Sequence, residues 1–186
     1  GIAERWEMSP DGLTWTFYLR KGVSFNEGWG DVSAEDVKFS LEMLAKYHPR
    51  GNQLRMISEI RVLDENSLEI KLPSPSPTLF AFLDEAGFII PKHIYITNED
   101  LPRHQSNRNP IGSGPFSFQE WEKGDHVTLI KNKNYYIPGE PFVDKAFFKI
   151  IPSGASRILA LETGDVDYLA ERGLPEADIP RLRNNP

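Results

Sequence analysis

Residues 110–130 read PIGSGPFSFQEWEKGDHVTLI, and this stretch decides what kind of fold the chain can have. Gly112 and Gly114 stand either side of Ser113, and Pro115 closes the run. The next residues are strand-like. Phe116 to Trp121 and His126 to Ile130 are β-prone segments flanking Glu122-Lys123-Gly124-Asp125, a polar turn, so a hairpin is expected. A phosphate loop would continue into Gly-Lys-Ser/Thr, and a dinucleotide fingerprint would open a helix. A proline and a strand stand there instead, which argues against nucleotide binding. A glycine loop feeding straight into a strand fits a tight hinge, or a backbone surface against which an extended ligand lies. An ordinary turn is the competing reading.

Downstream, Asn132 to Pro141 is irregular and carries the paired Tyr135 and Tyr136. Ala146 to Ile151 is a strongly apolar strand. A helix over Ala155 to Glu162 stops at Gly164, which suits the left-handed position just past a helix end. Asp165 to Leu169 reads as another short strand, and strand, helix and strand in so small a space suggest a βαβ unit.

Upstream, Thr97 to Pro110 is a long polar loop. Short apolar helices are expected near Pro91 to Ile96, with Pro91 in the first turn, and near Thr78 to Leu83. Pro73 to Pro77 breaks the sheet. Before it, Ile60 and Val62 with Leu68, Ile70 and Leu72 flank the polar turn Asp64-Glu65-Asn66, a second hairpin. Ser33-Ala34-Glu35-Asp36 is a capping-box pattern, and Val37, Leu41 and Leu44 follow at helical spacing until Pro49 approaches. Thr14 to Leu19 is a strand entered from the turn Ser9-Pro10-Asp11-Gly12.

Composition bounds the function. The 186 residues carry 21 Lys and Arg against 27 Asp and Glu, a net charge of -6. No basic run is present to neutralise phosphates, which argues against a nucleic-acid partner. Cysteine is absent, so thiolate catalysis, disulfides and cysteine-held metals are excluded within the chain. No apolar run reaches the roughly 18 residues that a membrane span needs. Glu4 to Glu7 already reads as structured chain and Arg181 to Pro186 stop without a closing element, so a segment of a longer protein is expected.

Few residues suggest chemistry. His48, His93, His104 and His126 have no metal-like spacing, and each reads as structural or surface. Of the carboxylates, Asp36 is explained by capping, Glu35 has no clear catalytic partner, Glu120 and Glu122 fall on a hairpin and its turn, and Asp165 and Asp167 share a strand face. No nucleophile, base and orienting group emerge together, so no catalytic residue, metal ligand or cofactor is assigned and the chain is not expected to be an enzyme. Trp29 lies between Gly28 and Gly30, where packing constrains it least, and is a candidate cleft-lining tryptophan; core or cross-strand packing is the default reading.

The motifs, taken in order, resemble the extracellular solute-binding proteins of family 5, the oligopeptide, dipeptide and nickel type. The resemblance runs through Ala3-Glu4-Arg5-Trp6-Glu7, Ser9 to Phe17, Leu19 to Val23, and Ser33 to Leu41. It continues in Pro110 to Phe116, Trp121 to Asp125, Asn132 to Tyr136, and Ala160 to Asp167. One departure stands out: after Phe25 the family has His or an acidic residue and then Asp-Gly, where this chain has Asn26-Glu27-Gly28-Trp29-Gly30-Asp31.

The resemblance implies an α/β chain of mixed α+β character, an incomplete lobe of the type II periplasmic-binding-protein fold. Residues 1–112 would form the family's small α+β subdomain and 113–170 part of the main sheet. Residues 171–186 would begin the crossover to an absent second lobe. The implied function is the substrate-binding component of an ABC importer, capturing oligopeptides or dipeptides for permease transmembrane subunits. Nickel chelates, oligosaccharides or opines are competing solutes; a hydrolase or structural surface protein is more remote. The implied state is a monomer, periplasmic or lipid-anchored outside the cytoplasmic membrane. Gly112, Ser113, Gly114 and Pro115 would lie nearest the ligand, Trp29 and Phe25 would be walls, and His93 to Arg108 would form a rim.

Overall fold

The architecture follows from two antiparallel sheets and the helices their connections allow. The computed structural model describes residues 1–96, 101–170 and 178–183. It divides into two compact units, one of Gly1–Glu120 with Leu129–Ala146 and one of Trp121–Thr128 with Phe147–Pro186.

In the first unit, β1 (Ala3–Met8), β2 (Thr14–Leu19), β3 (Glu59–Asp64) and β4 (Ser67–Lys71) form an antiparallel sheet in the order β1-β2-β4-β3. Register places apolar residues in rows across it. Trp6 faces Phe17, which faces Leu68, which faces Val62; Met8, Trp15, Ile70 and Ile60 form the next row. Such cross-strand pairs are the unit of sheet stability. Phe17, Leu68 and Ile70 are buried beneath Val37 and Leu41 of α1 (Ala34–Tyr47) and beside Leu79 and Phe82 of α2 (Leu79–Ala86). Each such side chain contributes roughly 1.5–3 kcal/mol by leaving water.

Helix α1 begins where its sequence says it should. Ser33 N–H donates to Asp36 Oδ2 at 2.9 Å and Asp36 N–H donates to Ser33 Oγ at 3.3 Å, a reciprocal capping box. The same carboxylate does more than cap. Its Oδ1 accepts from the N–H of Lys92 at 2.7 Å, at the start of α3 (Lys92–Tyr95). One turn along α1, Ser40 Oγ accepts from Ile90 N–H at 2.9 Å. Asp36 and Ser40 thereby pin the 90–92 strap to the helix, a link between residues fifty or more positions apart.

β5 (Phe116–Glu122), β6 (His126–Lys131) and β7 (Lys145–Lys149) form a three-stranded sheet in that order. Each strand contributes residues to both units. Lys131 N–H donates to Asp144 O, and Ile150 N–H to Asp125 O, which makes β6 and β7 antiparallel. In the second unit α4 (Gly154–Glu162) is capped by Ser153, whose Oγ accepts from Ser156 N–H. A short α5 (Ile179–Arg183) is the last described element. The remainder of 171–186, expected to open a crossover, lies outside the described residues, as do 97–100 of the polar loop. From residue 101 that loop forms two short 3-10 turns, Leu101–Arg103 and Gln105–Arg108.

The expected βαβ unit does not form. Gly164 takes φ of 76°, the left-handed conformation its position calls for, but Asp165 and Val166 both donate their N–H groups to Ala160 O. Those donors close the end of α4 and are lost to any strand pairing, so 165–169 is irregular.

Asp36→Ala removes the box and the bond to Lys92 together, and is expected to cost about 2 kcal/mol in urea denaturation. Ser33→Ala leaves the Lys92 bond intact and is expected to cost about half as much.

Candidate ligand-binding site

A cavity of about 780 Å³ lies within the first unit. Phe17, Leu19, Leu68 and Ile70 of the sheet and Val37 and Leu41 of α1 contribute to it. α2 supplies Phe80, Leu83 and Asp84 and continues into Gly87, Phe88 and Ile89. Ser113, Gly114 and Pro115 line it with Tyr135 and Tyr136, and β1 adds Trp6. The volume falls in the range of small-solute sites, roughly 300–1,000 Å³, and the lining is of the apolar, aromatic kind such sites use.

The aromatic wall is built around Phe80. Its ring centroid lies 5.1 Å from Trp6, 4.7 Å from Trp15 and 5.7 Å from Phe17. Gly87 lets the wall turn from α2 to Phe88, because a Cβ there would sit 2.2 Å from Leu83 O. Trp6 is 52% exposed and Phe88 65%, so large apolar faces remain open to solvent at this site. Tyr135 and Tyr136 stack at 4.6 Å. Burial, and then the hydrogen bond with Tyr136, push the Tyr135 phenol up to about 12. Among the described residues Asp84 is the one carboxylate in the lining.

The glycine loop is held from behind by two buried amides. Asn26 N–H donates to Gly112 O at 2.8 Å, and Asn26 Nδ2 donates to Phe116 O at 3.0 Å. Asn132 Nδ2 donates to Gly114 O at 2.9 Å and to Asn26 Oδ1 at 2.6 Å, while Asn132 N–H donates to Pro115 O at 2.9 Å. Asn132 Oδ1 accepts from Asn134 N–H. Both asparagines are 6% exposed, and four loop carbonyls end on this pair.

The structure therefore brings Ser113, Gly114 and Pro115 to the cavity, with Gly112 tied to Asn26 beside them. Phe25 and Trp29 lie elsewhere. Phe25 is 2% exposed, packs with Val23, Val32 and Ile111 in a second core cluster, and is not among the residues lining the cavity. Trp29 is 42% exposed and is not among the residues lining the cavity. In the proposed rim, His104 is buried, stacks on Tyr95 at 4.7 Å, and accepts from Ser106 N–H through Nδ1. Glu35 is paired with Lys92 at 2.8 Å, which holds its carboxyl below the usual range. Among the described residues no cluster of His, Asp or Glu is placed to hold a metal ion.

Sequence reasoning misses Asn26 and Asn132 as site residues. They stand 106 positions apart, and no local pattern announces that they meet. Asn26 does fall at the departure from the family pattern, and that is the one signal the sequence offers. Trp6, Phe80 and Phe88 carry no local pattern that marks them as cavity residues.

The first unit thus sets an aromatic cavity beside a glycine loop held by two buried asparagines. Comparison with known proteins gives the family. A model of the bacterial extracellular solute-binding proteins, family 5 Middle, matches residues 1–186, and the chain belongs to that family. An oligopeptide-binding protein of Bacillus subtilis (strain 168) is 30% identical over 173 residues, covering 90% of this chain and 32% of its own. A nickel-binding periplasmic protein of Escherichia coli (strain K12) is 31% identical over 194 residues, covering 100% and 36%. An ABC transporter-associated periplasmic binding protein from Helicobacter pylori, solved with the peptide STSA, superimposes with a TM-score of 0.77 at 30% identity, covering 100% and 40%. The chain thus spans about a third of the length of the curated relatives it matches.

Two measurements check this geometry. Asn132→Leu strands the Asn26 amide and the Gly114 carbonyl, and is expected to destabilise the intact protein by about 1–3 kcal/mol by thermal or urea melting. The raised Tyr135 phenol means stability is fully present below pH 10.0 and falls as pH climbs toward about 12, where the folded group ionises. Tyr135→Phe is expected to flatten that alkaline decline.

Proposed function

We propose that the intact protein is the substrate-binding component of an ABC importer and that it captures oligopeptides or dipeptides for a membrane permease. The observation that carries this reading is the pairing of a rigid backbone loop, Ser113 to Pro115, with an aromatic cavity free of specific charge clusters. Recognition through main chain is indifferent to side-chain identity, and apolar walls accept side chains of many shapes. That combination suits a receptor for peptides of varied sequence. Relatives named for oligopeptides and solved with a peptide support it. In this reading the protein works outside the cytoplasmic membrane, periplasmic or lipid-anchored, as a monomer, and releases its solute chemically unchanged.

Native mass spectrometry of the gently purified intact protein tests the proposal. A heterogeneous set of short peptides, released intact, is expected. A single non-peptide species, such as the nickel that one relative is named for, would replace the peptide assignment. Covalently altered products would argue for an enzyme instead.

Substitution locates the site. Trp6→Ala or Phe88→Ala is expected to weaken peptide binding several-fold in calorimetry, as loss of one aromatic face does. Trp29→Ala is expected to stay within about twofold of the parent, since it removes no group from the cavity lining. A larger loss in Trp29→Ala would move the site to the 26–31 loop.

A further inference from the structure

The backbone of residues 112–114 is asymmetric in its hydrogen bonding. The carbonyls of Gly112 and Gly114 are taken by Asn26 and Asn132, as are those of Pro115 and Phe116. The N–H groups of Gly112, Ser113 and Gly114 meet no acceptor among the described residues, and neither does the Ser113 hydroxyl. In a planar trans peptide the C=O and N–H point in opposite directions. Because Gly112 O points at Asn26, the Ser113 N–H of the same peptide plane points away from Asn26. Ser113 lines the cavity and Asn26 does not.

The flanking glycines add a second observation. Neither Gly112 nor Gly114 has a positive φ, and a Cβ built on either meets nothing within 4 Å. The chain's own packing and dihedrals therefore do not call for glycine at these positions. Bare backbone is what they leave, facing open space on both sides of the free Ser113 donor.

We infer that the loop is a donor cradle in which the Ser113 N–H, bared by Gly112 and Gly114, binds an sp² oxygen of the bound solute. That oxygen belongs to a peptide carbonyl or a terminal carboxylate. The Asn26–Asn132 pair is the positioning element: by engaging the carbonyls it turns the donor face outward. The assignment rests on the cavity being the solute site.

The test uses the intact protein and a random tripeptide library, from which the best-retained member is titrated by calorimetry. Gly112→Ala and Gly114→Ala are expected to keep or slightly raise the melting temperature, since alanine fits these dihedrals and reduces unfolded-state freedom. Both should bind the peptide at least about tenfold more weakly, the scale of one or two lost hydrogen bonds. Replacing the Ser113 amide by an ester, which deletes the N–H alone, should cost a similar factor. In the unsubstituted protein, the Ser113 amide proton should shift downfield and exchange more slowly on binding, a readout that needs no variant to fold. Repeating the ester comparison with a peptide whose terminal carboxylate is replaced by hydrogen identifies the oxygen. If the penalty vanishes, the acceptor is the terminal carboxylate; if it persists, an internal carbonyl. Unchanged affinity in the ester variant, with an unmoved Ser113 amide, would overturn the cradle while leaving peptide capture standing. Failure of the unsubstituted protein to retain any library member would overturn peptide capture and the cradle with it.

Discussion

Asn26 and Asn132 form a buried amide pair on which the candidate site depends. Their side chains meet at 2.6 Å, and their remaining donors reach the carbonyls of Gly114 and Phe116. A buried amide must find partners or cost roughly 1–3 kcal/mol for each group left unmet. Here the amide donors end on the other asparagine or on the glycine loop. The planes that carry the carbonyls of Gly112, Gly114, Pro115 and Phe116 cannot rotate without stranding one of them, so the loop is held on both sides of Ser113. A segment that contains two glycines and would otherwise be the freest part of the chain is thereby restrained.

How much of this was legible in the sequence depends on the range of the interaction. The capping box at Ser33 and Asp36, the β3–β4 hairpin across Asp64 to Asn66, the β5–β6 hairpin and the left-handed Gly164 all use neighbours a few residues apart, and all appear where the pattern places them. Asp165 to Leu169 failed for a related reason. Its alternation resembles a strand, but two of its N–H groups lie within reach of Ala160 O, and local capping takes them. The site is different in kind. It joins Trp6, Phe80, Ser113 and Tyr135 from four separate segments, and period or propensity cannot report such meetings. Family resemblance draws the eye to the glycine loop, because the motif travels as a unit; it does not report that Phe25 packs in a core cluster.

The second unit shows a different kind of mismatch between pattern and packing. Ala146 to Ile151 reads as a strand apolar on both faces, a pattern that goes with cover on both sides. Phe147 and Phe148 nevertheless remain 60% and 58% exposed, and among the described residues of the unit the buried apolar ones are Ile158 and Ala160. The pattern states what the strand needs, and the described residues do not supply it.

In the proposed reading, the loop and the wall divide recognition between them. Ordering a flexible loop on binding costs free energy that subtracts directly from affinity, whereas a loop already held in place contributes its hydrogen bonds nearly in full. The asparagine pair meets that cost during folding, from contacts that lie behind the loop and touch no cavity surface. The aromatic wall needs no such fixing, since Trp6 and Phe88 bury apolar area against any shape that approaches. On the proposed reading, direction comes from a few backbone atoms and most of the contact area from tolerant rings.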